Sequence, residues 1–133
     1  MNIQVAALCD AATDYAGKLN VLGTFDTIVA QQLPAVHPQC TVALRLAFDR
    51  SEEGRHQVSM NFVDDDGREV MARINIPIEV QLPPEAIFAA RNFVINIQQM
   101  KFSKPGHYAI GLLLDGQLQT SIPLHVKLAA PQG

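Results

Sequence analysis

The chain has 133 residues, of which 48% are hydrophobic and 17% charged, and a formal net charge of −3. That length and composition fit one domain whose core can stand without disulfide or metal staples. The ten basic residues, dispersed from Lys18 through Arg45, Arg68 and Arg91 to Lys127, form no cluster interleaved with aromatics, which sets nucleic acid aside.

No run approaches the roughly 18 consecutive apolar residues that span a bilayer, so no membrane partner is expected. The opening MNIQVAALCD lacks a basic n-region and its apolar run stops at Asp10, so it does not read as a secretory signal. The expectation is a cytoplasmic protein with Cys9 and Cys40 reduced. Their spacing fits no zinc pattern. Each shares the parity of apolar neighbours, Ile3, Val5 and Ala7 for one and Val42 and Leu44 for the other, so both read as buried free thiols.

In chain order, a first strand over Asn2–Cys9 would place Ile3, Val5, Ala7 and Cys9 on one side. Turn formers from Asp10 to Lys18 interrupt the alternation. Leu19–Val29 then resumes it with apolar residues at both parities, which predicts a central strand covered on both faces or one bulged at Gly23. The prolines of Leu33–Pro38 predict a crossover between sheets. From Cys40, Val42, Leu44, Leu46 and Phe48 point inward, Ser51–Gly54 turns the chain, and Val58, Met60 and Phe62 line a returning strand, a predicted hairpin.

After the turn Asp64–Gly67, even positions from Val70 to Leu82 are apolar, predicting the longest strand. Pro77 inside it predicts a sheet edge or a bulge, and Pro123 does the same for the last strand. Pro83–Ala90 reads as a loop or a single helical turn anchored by Phe88. In Arg91–Phe102 the inward set passes from Phe93, Ile95 and Ile97 to Met100 and Phe102, as a bulge near Gln98 and Gln99 would produce.

The best-determined stretch is Phe102–Leu128. Lys104-Pro105-Gly106 forms a turn, Tyr108, Ile110, Leu112 and Leu114 alternate, Asp115-Gly116 makes a tight hairpin, and Ile122, Leu124, Val126 and Leu128 alternate back. These signals predict an all-β fold, an antiparallel β-sandwich of about eight strands, with a closed barrel as the rival. Tyr108 after its Pro-Gly turn resembles the tyrosine corner of immunoglobulin-like domains. Residues 1–128 form the single domain and 129–133 a loose tail.

The stretches LCDAATDYAGKLNVLGTFDTI, DDDG, FSKPGHYAIGLLLDG and SIPLHV resemble a family of small bacterial proteins classed only as a domain of unknown function. The shared features are Asp10 closing the first strand, Gly17-Lys18-Leu19 opening the second, Gly23 and Phe25 within it, and the late Pro105-Gly106-x-Tyr108 hairpin. The resemblance implies an immunoglobulin-like sandwich and a bacterial source, and brings no activity with it.

Asp64, Asp65 and Asp66, or Asp10 and Asp14, could offer calcium its oxygen ligands, but Asp-Asp-Gly is first of all turn chemistry. His37, His56, His107 and His125 have no metal-binding spacing, leaving only a zinc site assembled in space. No nucleophile elbow surrounds a serine, neither cysteine has a basic neighbour, and no glycine-rich loop cradles phosphate, so neither an enzyme nor a cofactor is expected. A small hydrolase stays as an alternative, requiring a serine or cysteine within reach of a histidine. The outward positions Ala43 and Ala47, and Ala109, Gly111 and Leu113, are small or apolar, so something covers them: another part of the chain, a second copy, or a protein partner. The leading expectation is a non-catalytic interaction module, with a calcium- or ligand-binding sandwich behind it.

Overall fold

Period-two alternation builds nine strands among residues 1–130, the part of the chain that the structure, a computed structural model, describes. They are β1 (Asn2–Tyr15), β2 (Lys18–Thr24), β3 (Thr27–Ala30), β4 (Ala35–Asp49), β5 (Gly54–Val63), β6 (Ile74–Val80), β7 (Phe88–Phe102), β8 (Gly106–Leu114) and β9 (Gln117–Leu128). One sheet has the order β2-β1-β4-β7 and the other β3-β9-β8-β5-β6. They pack face to face as an all-β sandwich, antiparallel except where β3 runs parallel to β9.

The core lies between the sheets. Val42, Leu44, Leu46 and Phe48 of β4 meet Val58, Met60 and Phe62 of β5, Tyr108, Ile110 and Leu112 of β8, and Ile122, Leu124 and Val126 of β9. Such side chains are the main favourable term, about 1.5–3 kcal/mol for each aliphatic or aromatic fully withdrawn from water. At one end Phe62, Phe102 and Tyr108 form an aromatic cluster with ring centroids 5.1–5.9 Å apart. The Tyr108 hydroxyl donates to the Lys104 carbonyl at 2.7 Å, pinning the corner where the chain leaves β7 in one sheet for β8 in the other.

The back half follows the sequence pattern closely. Asp115 and Gly116 both take positive φ, 50° and 83°, as a tight two-residue hairpin requires. Pro77 lies on β6, an edge strand, whereas β9, which carries Pro123, lies between β3 and β8, and Pro123 is accommodated because the pairing with β3 begins only at His125. Gln99 has φ 58°, at the predicted change of parity. Pro38 occupies the position facing it on β4, and both strands change sides together, so the pairing of β4 with β7 keeps one register from Ala35↔Phe102 to Asp49↔Phe88.

Several expectations need correction, among them the break after Cys9, since β1 runs on to Tyr15, and the longest strand, since β6 has 7 residues and β4 and β7 have 15 each. The stretches around Leu44 and Met60 are not a hairpin: β4 and β5 lie in different sheets, joined by one 3-10 turn, Arg50–Glu52, capped by Asp49 and Glu52. Alternation reports which face is buried and is silent about the neighbour. Leu19–Val29 divides at Thr24–Thr27 into β2 and β3, again in different sheets, and Gly23 at φ 71° precedes the break. A register shift between Ile3 and Val5 turns Val5, Ala7 and Cys9 away from the core and puts Ala6 and Leu8 into it. The strand predicted from Val70 starts only at Ile74, because Val70 and Glu69 still bond back to Phe62 and Val63 across the Asp64–Gly67 turn. Phe88 is 54% exposed and opens β7 instead of anchoring the loop before it. That loop is held by Arg50, whose Nη2 donates to the carbonyls of Pro83, Pro84 and Ala86 at 2.7–3.1 Å.

β9 ends at Leu128, and the Ala129 amide donates to the Ala30 carbonyl at 2.7 Å, which ties down the first residue of the predicted tail. The rest of that tail, 131–133, lies outside the described residues. Among the described residues no helix is long and apolar enough to cross a membrane.

Candidate functional site

The small residues of β4 explain how the first sheet is covered. Beyond Cys9, β1 stops pairing with β4 and continues as a hairpin with β2, through a turn in which Ala16 and Gly17 both have positive φ. The hairpin lies back across the outer face of its own sheet. Its tip is fastened by Arg45 of β4, whose Nη1 donates to the Gly17 carbonyl at 3.1 Å and to Asn92 Oδ1 at 2.8 Å, while Nε donates to Gln4 Oε1 at 2.8 Å. Asn92 of β7 completes the latch by donating to Asp14 Oδ2 and to the same Gly17 carbonyl, each at 3.1 Å. Ala43 beneath is 0% exposed, and Ala47 is buried as well. Larger side chains there would hold the hairpin off.

The outer face of the second sheet closes locally. Gly111 and Leu113 are buried and Ala109 is half-buried. The Asn61 carboxamide occupies the space a Cβ on Gly111 would take and accepts the Gly111 amide at 3.1 Å, and Leu118 leans over from β9. Ala43 therefore sits under the hairpin, Ala47 is buried beside a surface hollow lined by Asn2, Gln4 and Phe88, and Ala109, Gly111 and Leu113 sit among side chains of their own sheet.

The acidic turns act within the fold. Asp64 Oδ1 accepts the amides of Asp66 and Arg68 at 2.9 and 3.0 Å, bonds that hold its carboxyl below the ordinary carboxylate range, the Arg68 amide contributing most. Asp65 approaches Gly106, and Asp66 lies 3.7 Å from Lys104. At the other turn Asp14 Oδ1 accepts the Gly17 amide at 3.1 Å, while Asp10 packs over Gly23. Among the described residues no three His, Cys, Asp or Glu side chains converge.

Both cysteines are free and buried, but on opposite sides of the first sheet. Cys40 faces the core with Sγ 3.1 Å from Met100 Sδ. Cys9 is covered by the hairpin, with its thiol on the Thr41 carbonyl at 3.4 Å. Burial pushes the Cys40 thiol up to about 11 and raises Cys9, with Asp10 adding to the shift. In native protein at neutral pH neither thiol is expected to react with an aromatic disulfide reagent within minutes, whereas both react at once in denaturant. Rapid native reaction of Cys9 would mean that the hairpin does not cover it.

His56 links two turns. Its Nδ1 lies 2.6 Å from Asp115 Oδ2 and its Nε2 lies 2.6 Å from the Glu52 carbonyl. Both partners are acceptors, so the ring can donate to both only when it is protonated. The Asp115 bond, followed by the Glu52 bond, raises the His56 pKa above 6.5, and the same pair lowers Asp115 below 3.8. A raised histidine stabilises fully below 6.5 and loses its contribution as pH rises through the folded value. A lowered aspartate contributes above 3.8 and loses it as pH falls through its folded value. The pair therefore contributes most between these limits. On passing from pH 6 to 9 the wild type is expected to lose about 1 kcal/mol, because half-exposed Asp115 is screened by water. His56→Gln should flatten that step in urea titrations, and an equal slope in both proteins would remove the pair as its cause.

Among the described side-chain hydrogen bonds, none joins a serine or cysteine to a histidine. The Ser59 hydroxyl meets Asn75, and the Ser51 hydroxyl meets Asp49. The hollow beside the aromatic cluster, about 520 Å³, includes Ser103 in its lining but no histidine. What sequence reasoning missed is the open edge of the first sheet: β7 pairs with β4 on one side along its 15 residues and, among the described residues, has no strand on the other. The signal for it was faint, consisting of a long strand without proline that begins at the exposed Phe88, just after the exposed Ile87.

A comparison with curated proteins found no match. The match that was found covers nearly all of the chain, from the hairpin through the latch residues and the aromatic cluster to the last strand: over residues 4–127 it fits the model of DUF6941, a family of unknown function, and the chain belongs to that family.

Proposed function

We propose that this protein is a non-catalytic interaction module that associates by strand addition at β7, with a second copy of the chain, or a protein partner, supplying the added strand. The observation that carries the reading is the unpaired outer edge of β7, Phe88–Phe102. An edge of that length offers a row of free amides and carbonyls, the template on which another strand pairs. The other edges suit the role less: β3 has four residues, β6 contains Pro77, and β2 belongs to the folded-back hairpin. Two copies meeting antiparallel about a two-fold axis would merge their four-stranded sheets into one of eight. The association surface thus moves from Ala43, Ala47, Ala109, Gly111 and Leu113, which the chain covers itself, to β7 with Ile87 and Phe88 beside it.

The two unbridged cysteines suit the reducing cytoplasm of a bacterium. The bond from Tyr108 to the Lys104 carbonyl supports an immunoglobulin-like reading of the corner between β7 and β8. Light scattering over a rising micromolar series is expected to move from 14.5 kDa towards twice that mass. Hydrogen exchange should slow at alternate amides of β7 in step with it. A mass that stays monomeric, with those amides exchanging freely at every concentration, would overturn self-association.

A further inference from the structure

His107 of β8 and His125 of β9 stand directly opposite each other in the ladder. Their rings stack with centroids 4.3 Å apart and planes inclined by 16°. The backbone beneath them is firmly held. Tyr108 and Leu124, the next pair along, are buried in the core, and the His125 amide donates to the Asp26 carbonyl at 2.7 Å. Neither ring has a hydrogen-bond partner among the described residues, in contrast to His56, whose two nitrogens are both engaged. The outer face of the second sheet therefore presents two imidazoles at a fixed spacing with their nitrogens uncommitted.

We propose that His107 and His125 form a two-nitrogen site for a divalent first-row transition-metal ion, with water completing the coordination. Metal–nitrogen bonds of about 2 Å place neighbouring donor nitrogens roughly 3 Å apart. Stacked rings reach that by tipping their nitrogen edges together, and histidine χ2, a broad and shallow torsion, allows the tip without leaving a rotamer well. Imidazole donors select copper, nickel and zinc over calcium and magnesium, and affinity should rise towards copper(II). With no third His, Cys, Asp or Glu converging on the pair among the described residues, the site is open and its ion exchangeable.

The test uses the full chain with nickel(II) and copper(II) salts. With free nickel(II) at about a hundred times its Kd, the melting midpoint should rise by about 5 °C or more. His107→Asn and His125→Asn should each weaken binding at least about tenfold and so cut the rise by about half or more, while His37→Gln leaves it unchanged. In the wild type, substoichiometric copper(II) should broaden the ring resonances of His107 and His125 ahead of those of His37 and His56, a readout that does not depend on any variant folding. An undiminished rise in His107→Asn, broadening that begins at His37 or His56, or no rise at all in the wild type would overturn the site.

Discussion

Phe102→Ala is expected to lower the melting midpoint by about 10–20 °C, which corresponds to a loss of about 3–5 kcal/mol. Phe102 is among the largest fully buried side chains and meets Phe62 and Tyr108 edge-on at 5.9 and 5.1 Å. Alanine removes the burial of the ring and leaves a cavity among β5, β7 and β8 that two rigid aromatics cannot close. Against a total of about 5–15 kcal/mol for an ordinary domain, a loss of this size brings the fold near its limit. Tyr108→Phe is the useful contrast. It deletes one hydroxyl, and the Lys104 carbonyl it releases belongs to an exposed residue, so the cost should stay near 1 kcal/mol. Thermal melts of the two variants that coincide would show that the end of the sandwich is not packed as described.

The second large effect is expected at Arg45. Arg45→Ala should cost about 2 kcal/mol, because it removes three charge-assisted hydrogen bonds, each partly exposed, and the aliphatic stem lying on the β4 face. The loss should be local as well as global. Amides of the paired stretch Ala12↔Val21 and Thr13↔Asn20 should exchange faster than those of β4, and Cys9 should become reactive while Cys40 stays protected. Arg45→Lys should recover little, since an ammonium cannot reach Gln4, Gly17 and Asn92 at once in the planar fork the guanidinium supplies. Unchanged exchange in the hairpin and a silent Cys9 would mean that the latch does not hold it.

Much of the fold was legible because a strand with one buried face has to alternate. Ile110, Leu112, Ile122 and Leu124 announced both their strands and their orientation, and Asp115-Gly116 announced the turn between them. Pro77 marked an edge because a residue without an amide hydrogen suits a strand with a free side. The partners of the strands were not legible. β4 and β5 each bury a clean even-numbered face, and that pattern is the same whether two strands pair in one sheet or face each other across the core. The small residue at 43 lies under a hairpin secured by Arg45 and Asn92, and the sequence gives no sign that these two form a latch. Phe88 misled for the opposite reason, an aromatic standing in water where an anchor was expected. The open edge of β7 is a property of the sheet order and leaves almost no trace in its own residues.

The facing of Pro38 and Gln99 bears on how such chains can change in length. A residue added to β4 alone would slide every cross-strand partner towards one end by one place and swing half of the greasy side chains into solvent. An addition at 38 matched by another at 99 would leave both ends aligned. Relatives that differ in length here should therefore differ in both strands or in neither, and sequences that break this rule would show that the paired kink is dispensable.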